Sequence, residues 1–507
     1  MELQHTTQSV GSLETVYDGK LEQAVDGDIT LPEYCPDILR ILKCAMEPNV
    51  HAVQSAGERV SIEGSARITV LYAGEDGTLQ SFEQSYPFSR GADAAGLDDR
   101  CAVTAIARAE YANARAVSPR RLDIHGMLTI SVQARRRRED AVLSGLSGGG
   151  IQTLAEQVSL SSLEALHSAA FPLSEVIEIE PGAPAIDQIV LRRAVAVPTE
   201  VKAIKNKLLV KGSLELRVIY RSRGAKEPVQ VLHTMPISQI IEAPGVSETT
   251  ANTLRLRVCS LEAAPKADGS GEARLLEVSA RVGAQVRGYA PTELSVIRDA
   301  YSTRGGIALE TRRLESRQLL ESFRENFSAR ESFDIPGRIQ ALLLLAGELL
   351  PVETSVKDGT VSAAGRLKAH AVYIDGEGQA ATIEKELPFS FRRALKRAPA
   401  GTIAEMEIEL LGVQGSVSGD ALEVRAEFAA LGDVFAAETR NVLGAVAQDE
   451  SEAPPCRSPL TIYFAADGEP LWEIAKRYRT TVEAVRQENE LAADTASAGQ
   501  MLLIPSV

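Results

Sequence analysis

The sequence has few aromatic residues and no excess of positive charge. Of its 507 residues, 5% are aromatic with a single Trp, and 54 Lys and Arg stand against 69 Asp and Glu, which gives a net charge of −15. Binding of nucleic acid without regard to its sequence needs clustered basic side chains. Single strands also need aromatic side chains on which the bases can stack. The composition therefore argues against a nucleic-acid-binding protein.

The sequence indicates neither disulfide bonds nor a membrane-spanning segment. Its five cysteines are widely spread and include no Cys-x-x-Cys pair, so we expect reduced, small buried residues rather than disulfides or a zinc site. The most apolar stretch, 339–350, is interrupted by Gln340 and Glu348 and is shorter than the ~20 residues of a spanning helix. The first ten residues lack the pattern of a secretory signal, which predicts a cytoplasmic protein.

The sequence also lacks a recognisable catalytic or metal-binding pattern. Its six histidines form no His-x-x-x-His or His-Glu-x-x-His cluster, and no phosphate-binding loop is found. The segment 145–149 has the spacing of a nucleophile elbow around Ser147. An elbow, however, needs a strand before the serine and a helix after it, and this serine lies in a glycine-rich stretch. We therefore predict that the protein is not an enzyme and needs neither a metal nor a cofactor.

What the sequence does contain is an internal triplication, which identifies a repeated structural unit. In the first third, Pro36-x-Ile38-x-x-Ile41 is followed by Gly64, 28 residues after the proline, and then by Tyr72. The same spacing recurs as Pro184-x-Ile186-x-x-Ile189 with Gly212 and Tyr220, and as Gly337-x-Ile339-x-x-Leu342 with Gly365 and Tyr373.

Apolar and polar residues alternate within each copy, as in 60–72 and 214–220. Alternation is typical of strands that bury one face of an antiparallel sheet, and the segment 75–77 has the composition of a hairpin turn. Apolar residues at helical spacing in 150–170 and 305–330 favour helical connectors. The predicted fold is mainly β, with three sandwich-like antiparallel β repeats joined by helical connectors and followed by a small C-terminal domain.

The spacing of the repeats and the composition of the stretches between them predict the domain boundaries. The repeats are expected at 12–140, 157–300 and 312–450, and the C-terminal domain at 459–507. A flexible Gly/Ser linker is predicted at 141–156, a connector at 301–311, and an acidic, proline-containing linker at 451–458.

The Pro-x-Ile-x-x-Ile opening and the strand from Gly64 to Tyr72 resemble the SPOCS domain, a module of endospore-forming bacteria named for spore coat and cortex shape. The resemblance rests on apolar and turn residues. Its recurrence in three copies extends it over most of the chain.

The C-terminal segment follows a different pattern. A short strand at 462–464 and a turn at 467–470 precede a helix at 471–478 with one apolar face, and a second helix follows over 480–489. Thr480 or Thr481 is expected to cap the second helix, with Glu483 completing a capping box. A closing strand ends at Pro505, so the predicted order is β-α-α-β.

This segment is similar to the LysM domain, which binds N-acetylglucosamine polymers such as peptidoglycan in a groove between two loops. The resemblance places the groove on this chain at Asp467, Gly468, Glu469, Pro470, Leu471, Glu490, Leu491, Ala492 and Ala493. Pro470 replaces a residue that carries a hydroxyl and a backbone donor in the usual motif, which argues against sugar binding. For Trp472 we favour core filling, and for Asn489 loop capping, over ligand contact.

Arg135, Arg136, Arg137 and Arg138 form the one dense basic run of this acidic chain. They fit either a solvated strand end beside Glu139 and Asp140 or a docking patch for an acidic partner or an anionic membrane surface.

Three SPOCS-like repeats followed by one LysM domain resemble SipL-like spore morphogenetic proteins. The resemblance implies a non-catalytic scaffold in the mother-cell cytoplasm, at the forespore surface. Its partners would be the coat basement-layer ATPase of the SpoIVA type and other coat proteins. The alternative is a protein that binds peptidoglycan through LysM, and an unrecognised enzyme is a third class.

Overall fold

The computed structural model describes residues 3–75, 78–223, 225, 227–335, 337–418, 421–449 and 460–506. The predicted acidic linker 451–458 lies outside these ranges. So do residue 459, at the predicted start of the last domain, and two residues of the predicted turn at 75–77.

Antiparallel strands make up most of the described chain, in three successive units followed by the C-terminal domain. Unit 1 contains β1 (Gln4–Thr30), β2 (Ile38–Ala56), β3 (Arg59–Gly74), β4 (Leu79–Asp93), β5 (Ala102–Ser118) and β6 (Arg121–Ser147). Unit 2 contains β7 (Ile151–Glu178), β8 (Gln188–Ile204), β9 (Lys207–Arg221), β10 (Val229–Glu242), β11 (Ala251–Lys266) and β12 (Leu275–Ser302). Unit 3 contains β13 (Gly306–Asp334), β14 (Ile339–Leu349), β15 (Glu353–Lys357), β16 (Thr360–Asp375), β17 (Ala380–Ala394), β18 (Thr402–Ser418) and β19 (Ala421–Asp449).

Each unit consists of two small antiparallel sheets that share one core. In unit 1 the sheets have the orders β2-β3-β4 and β1-β6-β5, and unit 2 repeats this as β8-β9-β10 and β7-β12-β11. Unit 3 differs only in that β14 and β15 together take the place of one strand beside β16. Apolar side chains from both sheets meet in the core, as Ile62 and Ile68 of β3 do with Leu122 and Ile130 of β6. The prediction of a mainly β, repeated fold is confirmed.

A tyrosine hydrogen bond explains the spacing of the sequence motif. The Tyr72 hydroxyl donates to the carbonyl oxygen of Pro36 at 3.3 Å, and the Tyr220 hydroxyl donates to that of Pro184 at 2.9 Å. Both rings are fully buried, so the bond satisfies a hydroxyl that would otherwise be costly to bury. The motif therefore has a structural role, because it fixes the turn that precedes β2 in unit 1 and β8 in unit 2.

The three units pack around a common centre. Leu42, Val190 and Leu343 each lie six residues after the first residue of their motif, and all three belong to one buried cluster. Leu71, Ile219 and Val372, each 35 residues after the same point, belong to it too. Because equivalent positions of three repeats meet in one cluster, the units are related by an approximate threefold axis.

A second cluster joins the three units through their longest strands. It contains Val10 and Val142 of unit 1, Val158, Leu160, Leu294 and Val296 of unit 2, and Leu314 and Val442 of unit 3. The axis is thus lined by apolar side chains at two levels. The three units therefore pack into a single body and are not separately packed domains.

The helical connectors predicted at 150–170 and 305–330 are wrong, because both stretches are strands, β7 and β13. Each strand contains a β-bulge, at Glu164 and at Leu320, where the ladder skips one residue. A bulge shifts the alternation by one position. Apolar residues then recur at three- and four-residue spacing, as at Leu320, Phe323 and Phe327, which imitates the period of a helix.

The stretches predicted as a linker at 141–156 and a connector at 301–311 are mostly strand. β6 continues to Ser147 and β7 begins at Ile151, with only a turn between them, and a similar turn separates β12 from β13. The glycine-rich composition suggested flexibility, but Gly145 pairs with Thr6 of β1. Buried Val142 and Leu143 also pack into clusters shared with the other units.

The C-terminal domain contains β20 (Leu460–Phe464), α1 (Leu471–Tyr478), α2 (Val482–Glu488) and β21 (Met501–Pro505), with β20 antiparallel to β21. Pro470 is the N-cap of α1, and the hydroxyl of Thr481 caps α2 by accepting a hydrogen bond from the backbone N–H of Ala484 at 3.0 Å. Leu471, Ile474, Ala475, Val485, Leu502 and Ile504 form its core.

Candidate functional site

The C-terminal domain is docked on unit 2 through one carboxylate. Asp299, near the end of β12, accepts a hydrogen bond from the indole Nε1 of Trp472 at 2.9 Å. The same carboxylate accepts two more from the Nζ of Lys476, at 2.8 and 2.6 Å. Trp472 and Lys476 lie one turn apart on α1, so a single side chain of unit 2 holds one face of that helix.

Tyr301 completes this contact. Its hydroxyl donates to the carbonyl oxygen of Thr480 at 2.7 Å, and its ring meets that of Trp472 edge to face at a centroid distance of 4.9 Å. Tyr301 is buried and belongs to the core of the C-terminal domain although it is part of β12. The α1 face is therefore occupied by unit 2. Trp472 fills this junction as well as the edge of its own domain's core.

Only part of the first predicted groove loop is exposed at the surface of the domain. Asp467, Gly468 and Pro470 are exposed, and Gly468 has a φ of +69°, which favours glycine. Leu471 is fully buried in the domain core. It therefore cannot line a groove. Since Pro470 has no N–H, this loop also offers a ligand fewer backbone donors.

The carboxylate of Glu469 is engaged within the domain. It accepts hydrogen bonds from the Tyr463 hydroxyl at 2.8 and 3.0 Å and from the backbone N–H of Ala466 at 3.0 Å, and it pairs with Arg477 at 3.2 Å. The hydrogen bond from the Ala466 N–H is the main cause that lowers the pKa of Glu469. The charge stabilises the loop. It is not free to receive sugar hydroxyls without breaking these bonds.

The second groove loop follows α2. Glu490, with a φ of +50°, Ala492 and Ala493 are exposed, whereas Leu491 packs against the domain core. The segment 494–496 borders the first loop through backbone hydrogen bonds, among them Leu471 N–H to Asp494 at 2.9 Å and Ala496 N–H to Glu469 at 2.9 Å. These backbone hydrogen bonds hold the segment that follows the second loop against the first loop.

Asn489 caps the second loop. Its side-chain amide donates to the carbonyl oxygens of Val485 at 2.8 Å and Leu503 at 2.7 Å, and its side-chain oxygen accepts from the Leu503 N–H at 2.7 Å. Both polar atoms of its side chain have partners inside the domain, as loop capping requires.

An apolar surface that the sequence pattern did not predict lies on the outer face of the β20–β21 sheet. We call it the apolar face; it consists of Leu460, Ile462, Phe464 and Met501, whose exposed fractions are 45%, 60%, 64% and 55%. Phe464 and Met501 are paired across the ladder, so the exposed side chains lie next to each other. The signal in the sequence is a strand with apolar residues on both faces, since Tyr463 packs inward. Contiguous exposed apolar surface is typical of interaction sites.

Arg136 and Arg138 of the basic run are paired with carboxylates of unit 1. Arg136 donates to Glu14 at 2.6 Å and to Asp98 at 3.2 Å. Arg138 pairs with Asp140 at 2.9 Å. Much of the positive charge seen in the sequence is therefore balanced locally.

Arg137 and Arg135 face neighbouring units. Arg137 donates to the carbonyl oxygen of Leu163 at 2.5 Å and to the carboxylate of Glu164 at 3.3 Å, both at the bulge of β7. Arg135 is partly buried near Arg287 and Glu405, and this burial lowers its pKa. These two arginines contribute to the contacts between units.

The remaining residues considered for catalysis or metal binding are the serine of the elbow-like segment, the cysteines and the possible metal ligands. Ser147 of the elbow-like segment ends β6 and is followed by a turn and another strand. The four cysteines that lie within the described residues are free thiols, and burial raises the pKa of Cys44 to about 12, which keeps it protonated. Within the described ranges, no group of three His, Cys, Asp or Glu side chains is arranged to hold a metal ion. None of the described helices has the length and apolar character needed to cross a membrane.

Comparison with protein families identifies two kinds of domain. The family described as SipL, SPOCS domain matches residues 37–117 and 185–264, which cover β2–β5 and β8–β11, and the LysM domain family matches residues 467–505. Two SPOCS matches followed by a C-terminal LysM match agree with the SipL-like architecture that the sequence resembles. The SPOCS match indicates a role related to sporulation and the LysM match indicates glycan binding, and both families are non-catalytic binding domains. No match is found among curated proteins or among solved structures.

Proposed function

We propose that this chain is a non-catalytic scaffold of spore coat and cortex assembly that binds the coat basement-layer ATPase through its LysM domain. It would act in the mother-cell cytoplasm at the forespore surface, as the SipL-like architecture implies. Unit 3 would serve as a third SPOCS domain, because it repeats the motif spacing and strand order of units 1 and 2. The proposed domains are those predicted from the sequence, except that the chain between units 1 and 2 and between units 2 and 3 is strand joined by a short turn.

The observation that carries the proposal is the apolar face. One side of the LysM domain is held on unit 2 by Asp299 and Tyr301, while the β20–β21 sheet presents Ile462, Phe464 and their neighbours to solvent. Exposed aliphatic side chains such as those of Leu460 and Ile462 favour a protein partner over a polysaccharide, whose hydroxyls need polar atoms. The packed three-unit body would fix the direction in which this face points.

The structure also suggests why the body is built from repeats. Three similar units around one axis offer three similar outer surfaces, so that weak contacts with several coat proteins can combine into high avidity. The net charge of −15 favours partners with basic surfaces at the rims of such contacts.

The apolar face can be tested with two double variants of the full-length protein. Ile462→Ser with Phe464→Ser should weaken binding of the purified coat ATPase at least ~10-fold in biolayer interferometry, since contacts of this kind each contribute about 1 kcal/mol or more. Leu232→Ser with Ile240→Ser is the matched control, because these side chains of β10 are 66% and 64% exposed. Equal binding by both variants would remove the apolar face from the proposal.

Glycan binding is the second candidate, favoured by the LysM family match. It would use the two groove loops rather than the apolar face. Ala492→Arg with Ala493→Arg places bulk on the exposed second loop without touching the core. If the protein sediments with insoluble peptidoglycan and this variant does not, the glycan alternative holds. If neither sediments, it is excluded.

A further inference from the structure

The three interfaces between the units differ in their ion pairs. Three ion pairs join unit 1 to unit 2: Arg67 with Glu262, Arg137 with Glu164, and Arg192 with Glu83. Four join unit 2 to unit 3: Arg255 with Asp433, Arg257 with Glu407, Arg287 with Glu405, and Arg440 with Glu156. Between the described residues of units 1 and 3 there is no ion pair, and the hydrogen bonds are those of Arg40 and Arg312 to the carbonyl oxygens of Ala380 and Ala141.

Equivalent positions show what the interface between units 1 and 3 lacks. Arg192 of unit 2 lies eight residues after the start of its motif and pairs with Glu83 of unit 1 at 2.5 Å. The residue at this position of unit 1 is Cys44. Glu384 of unit 3 is equivalent to Glu83, because each lies opposite the residue 33 positions after the start of its motif. An arginine at the position of Cys44 is therefore absent, and Glu384 pairs with Lys368 of its own unit at 3.0 Å.

An unpaired charge lies at the same interface. Lys43 of unit 1 takes the position that Leu191 has in unit 2, and it lines a cavity of about 20 Å³ together with residues of all three units. Its charge interacts with Glu384 and His370 of unit 3, but among the described residues its ammonium has neither a hydrogen bond nor an ion pair. Burial lowers the pKa of Lys43. A buried charge without a direct partner costs free energy, so Lys43 opposes the closed interface.

We propose that unit 1 separates reversibly from unit 3 in a minor fraction of molecules, while units 2 and 3 stay together. Turns join unit 1 to unit 2 and unit 2 to unit 3, so no direct chain connection holds units 1 and 3 in contact. The turn 148–150 consists of three glycines, which allow unit 1 to rotate relative to unit 2. Opening brings Lys43 into water and makes apolar side chains of the cluster on the axis accessible, among them Leu42 and Leu343. The LysM domain stays on unit 2 through Asp299, so the opening does not depend on its partner.

Three exposed serines at equivalent positions allow the opening to be measured. Ser89, Ser238 and Ser390 each lie opposite the residue that precedes the glycine of their motif. They are replaced in pairs by cysteine and labelled with nitroxides, in the full-length protein with its natural cysteines changed to alanine. Double electron–electron resonance then gives the distances between the labels.

The two label pairs should behave differently. Ser89→Cys with Ser390→Cys spans units 1 and 3 and should show a second, longer distance in at least ~5% of molecules. Ser238→Cys with Ser390→Cys spans units 2 and 3 and should show one distance, because four ion pairs hold these units together. A single distance for the first pair overturns the proposal, and so does a second distance of equal weight in the other pair.

Variants that close the interface test the cause of the opening. Lys43→Leu with Cys44→Arg copies Leu191 and Arg192 of unit 2 and supplies an arginine for Glu384. This double variant should abolish the longer distance. Lys43→Leu alone should lower its fraction at least ~5-fold, because it removes the unpaired charge without adding an ion pair.

A matched control carries the same kinds of substitution away from the interface. Thr199→Arg with Lys202→Leu changes two exposed residues of β8 and should leave the fraction of the longer distance unchanged. A longer distance that persists in both Lys43 variants, or that the control lowers equally, would contradict the proposal.

Discussion

The contacts among the three units of the body differ in kind from the contact that attaches the LysM domain to the body. The body buries equivalent apolar residues of all three units along its axis, so its integrity depends on many contacts of the same kind. The LysM domain is attached mainly through Asp299 and Tyr301, with polar bonds to Trp472, Lys476 and Thr480. A packed core resists local change, whereas a contact made by a few polar groups can be removed by one substitution. The comparison suggests that the body is the rigid part and that the position of the LysM domain is the adjustable one.

The largest effect is expected in the body. Phe428 of β19 is fully buried and stacks with Phe327 at 5.1 Å and with Phe389 at 4.5 Å between ring centroids. Phe428→Ala should lower the free energy of unfolding by about 3–5 kcal/mol, because it removes these contacts and leaves a cavity. Urea denaturation followed by circular dichroism measures the loss. A change below 1 kcal/mol would mean that unit 3 does not depend on this core.

The second-largest effect is expected at the contact between the LysM domain and the body. Asp299→Ala should cost the docked arrangement about 2–3 kcal/mol, since it removes charged hydrogen bonds to Trp472 and Lys476. Trp472 is the only tryptophan, so its fluorescence reports this junction alone and should shift to longer wavelength. Asp299→Asn keeps an acceptor for the indole and should shift it less. An unchanged spectrum for Asp299→Ala would contradict the docking.

The repeated units and the LysM fold could be predicted from the sequence, whereas the contacts between distant segments could not. The repeat spacing and the alternation predict three β units because the motif marks local turns and buried faces, and the LysM pattern is compact enough to be read directly. The strands β7 and β13 were missed because bulges at Glu164 and Leu320 break the alternation. The docking by Asp299 and the apolar face could not be predicted, since both depend on which parts of distant segments meet in space.

A pH-dependent contribution is expected at the contact between units 1 and 3. His370 is buried, its Nδ1 and Nε2 lie 3.2 Å from Glu384 and 2.9 Å from Thr382, and burial, with Lys43 nearby, lowers its pKa to about 4. The unfolded chain, with an ordinary histidine pKa, binds a proton first, so stability should fall as the pH drops from ~6.5 towards 4. We expect a loss of about 2 kcal/mol between pH 7 and 5.

Replacing the histidine checks this assignment. In urea titrations at both pH values, His370→Gln should flatten the dependence between pH 7 and 5, whatever its effect on stability at pH 7. If the variant and the natural protein lose the same stability, the proton is taken up elsewhere.

The smallest effect concerns the motif tyrosine. Tyr220→Phe keeps the ring and removes only the hydrogen bond to Pro184, so it should cost about 1 kcal/mol and leave binding of the coat ATPase unchanged. Differential scanning calorimetry together with the binding assay distinguishes a structural motif from a functional one. Loss of binding at unchanged stability would assign the motif a direct role in recognition.

A LysM domain that binds a protein partner while the three-unit body holds it in place should reveal itself in a pull-down. The full-length protein and a 1–449 truncation are each incubated with purified coat ATPase and with insoluble peptidoglycan. We expect the full-length protein to bind the ATPase, the truncation to bind it much less, and neither to bind peptidoglycan. Binding of peptidoglycan that is lost on truncation, with ATPase binding unchanged, would contradict this expectation.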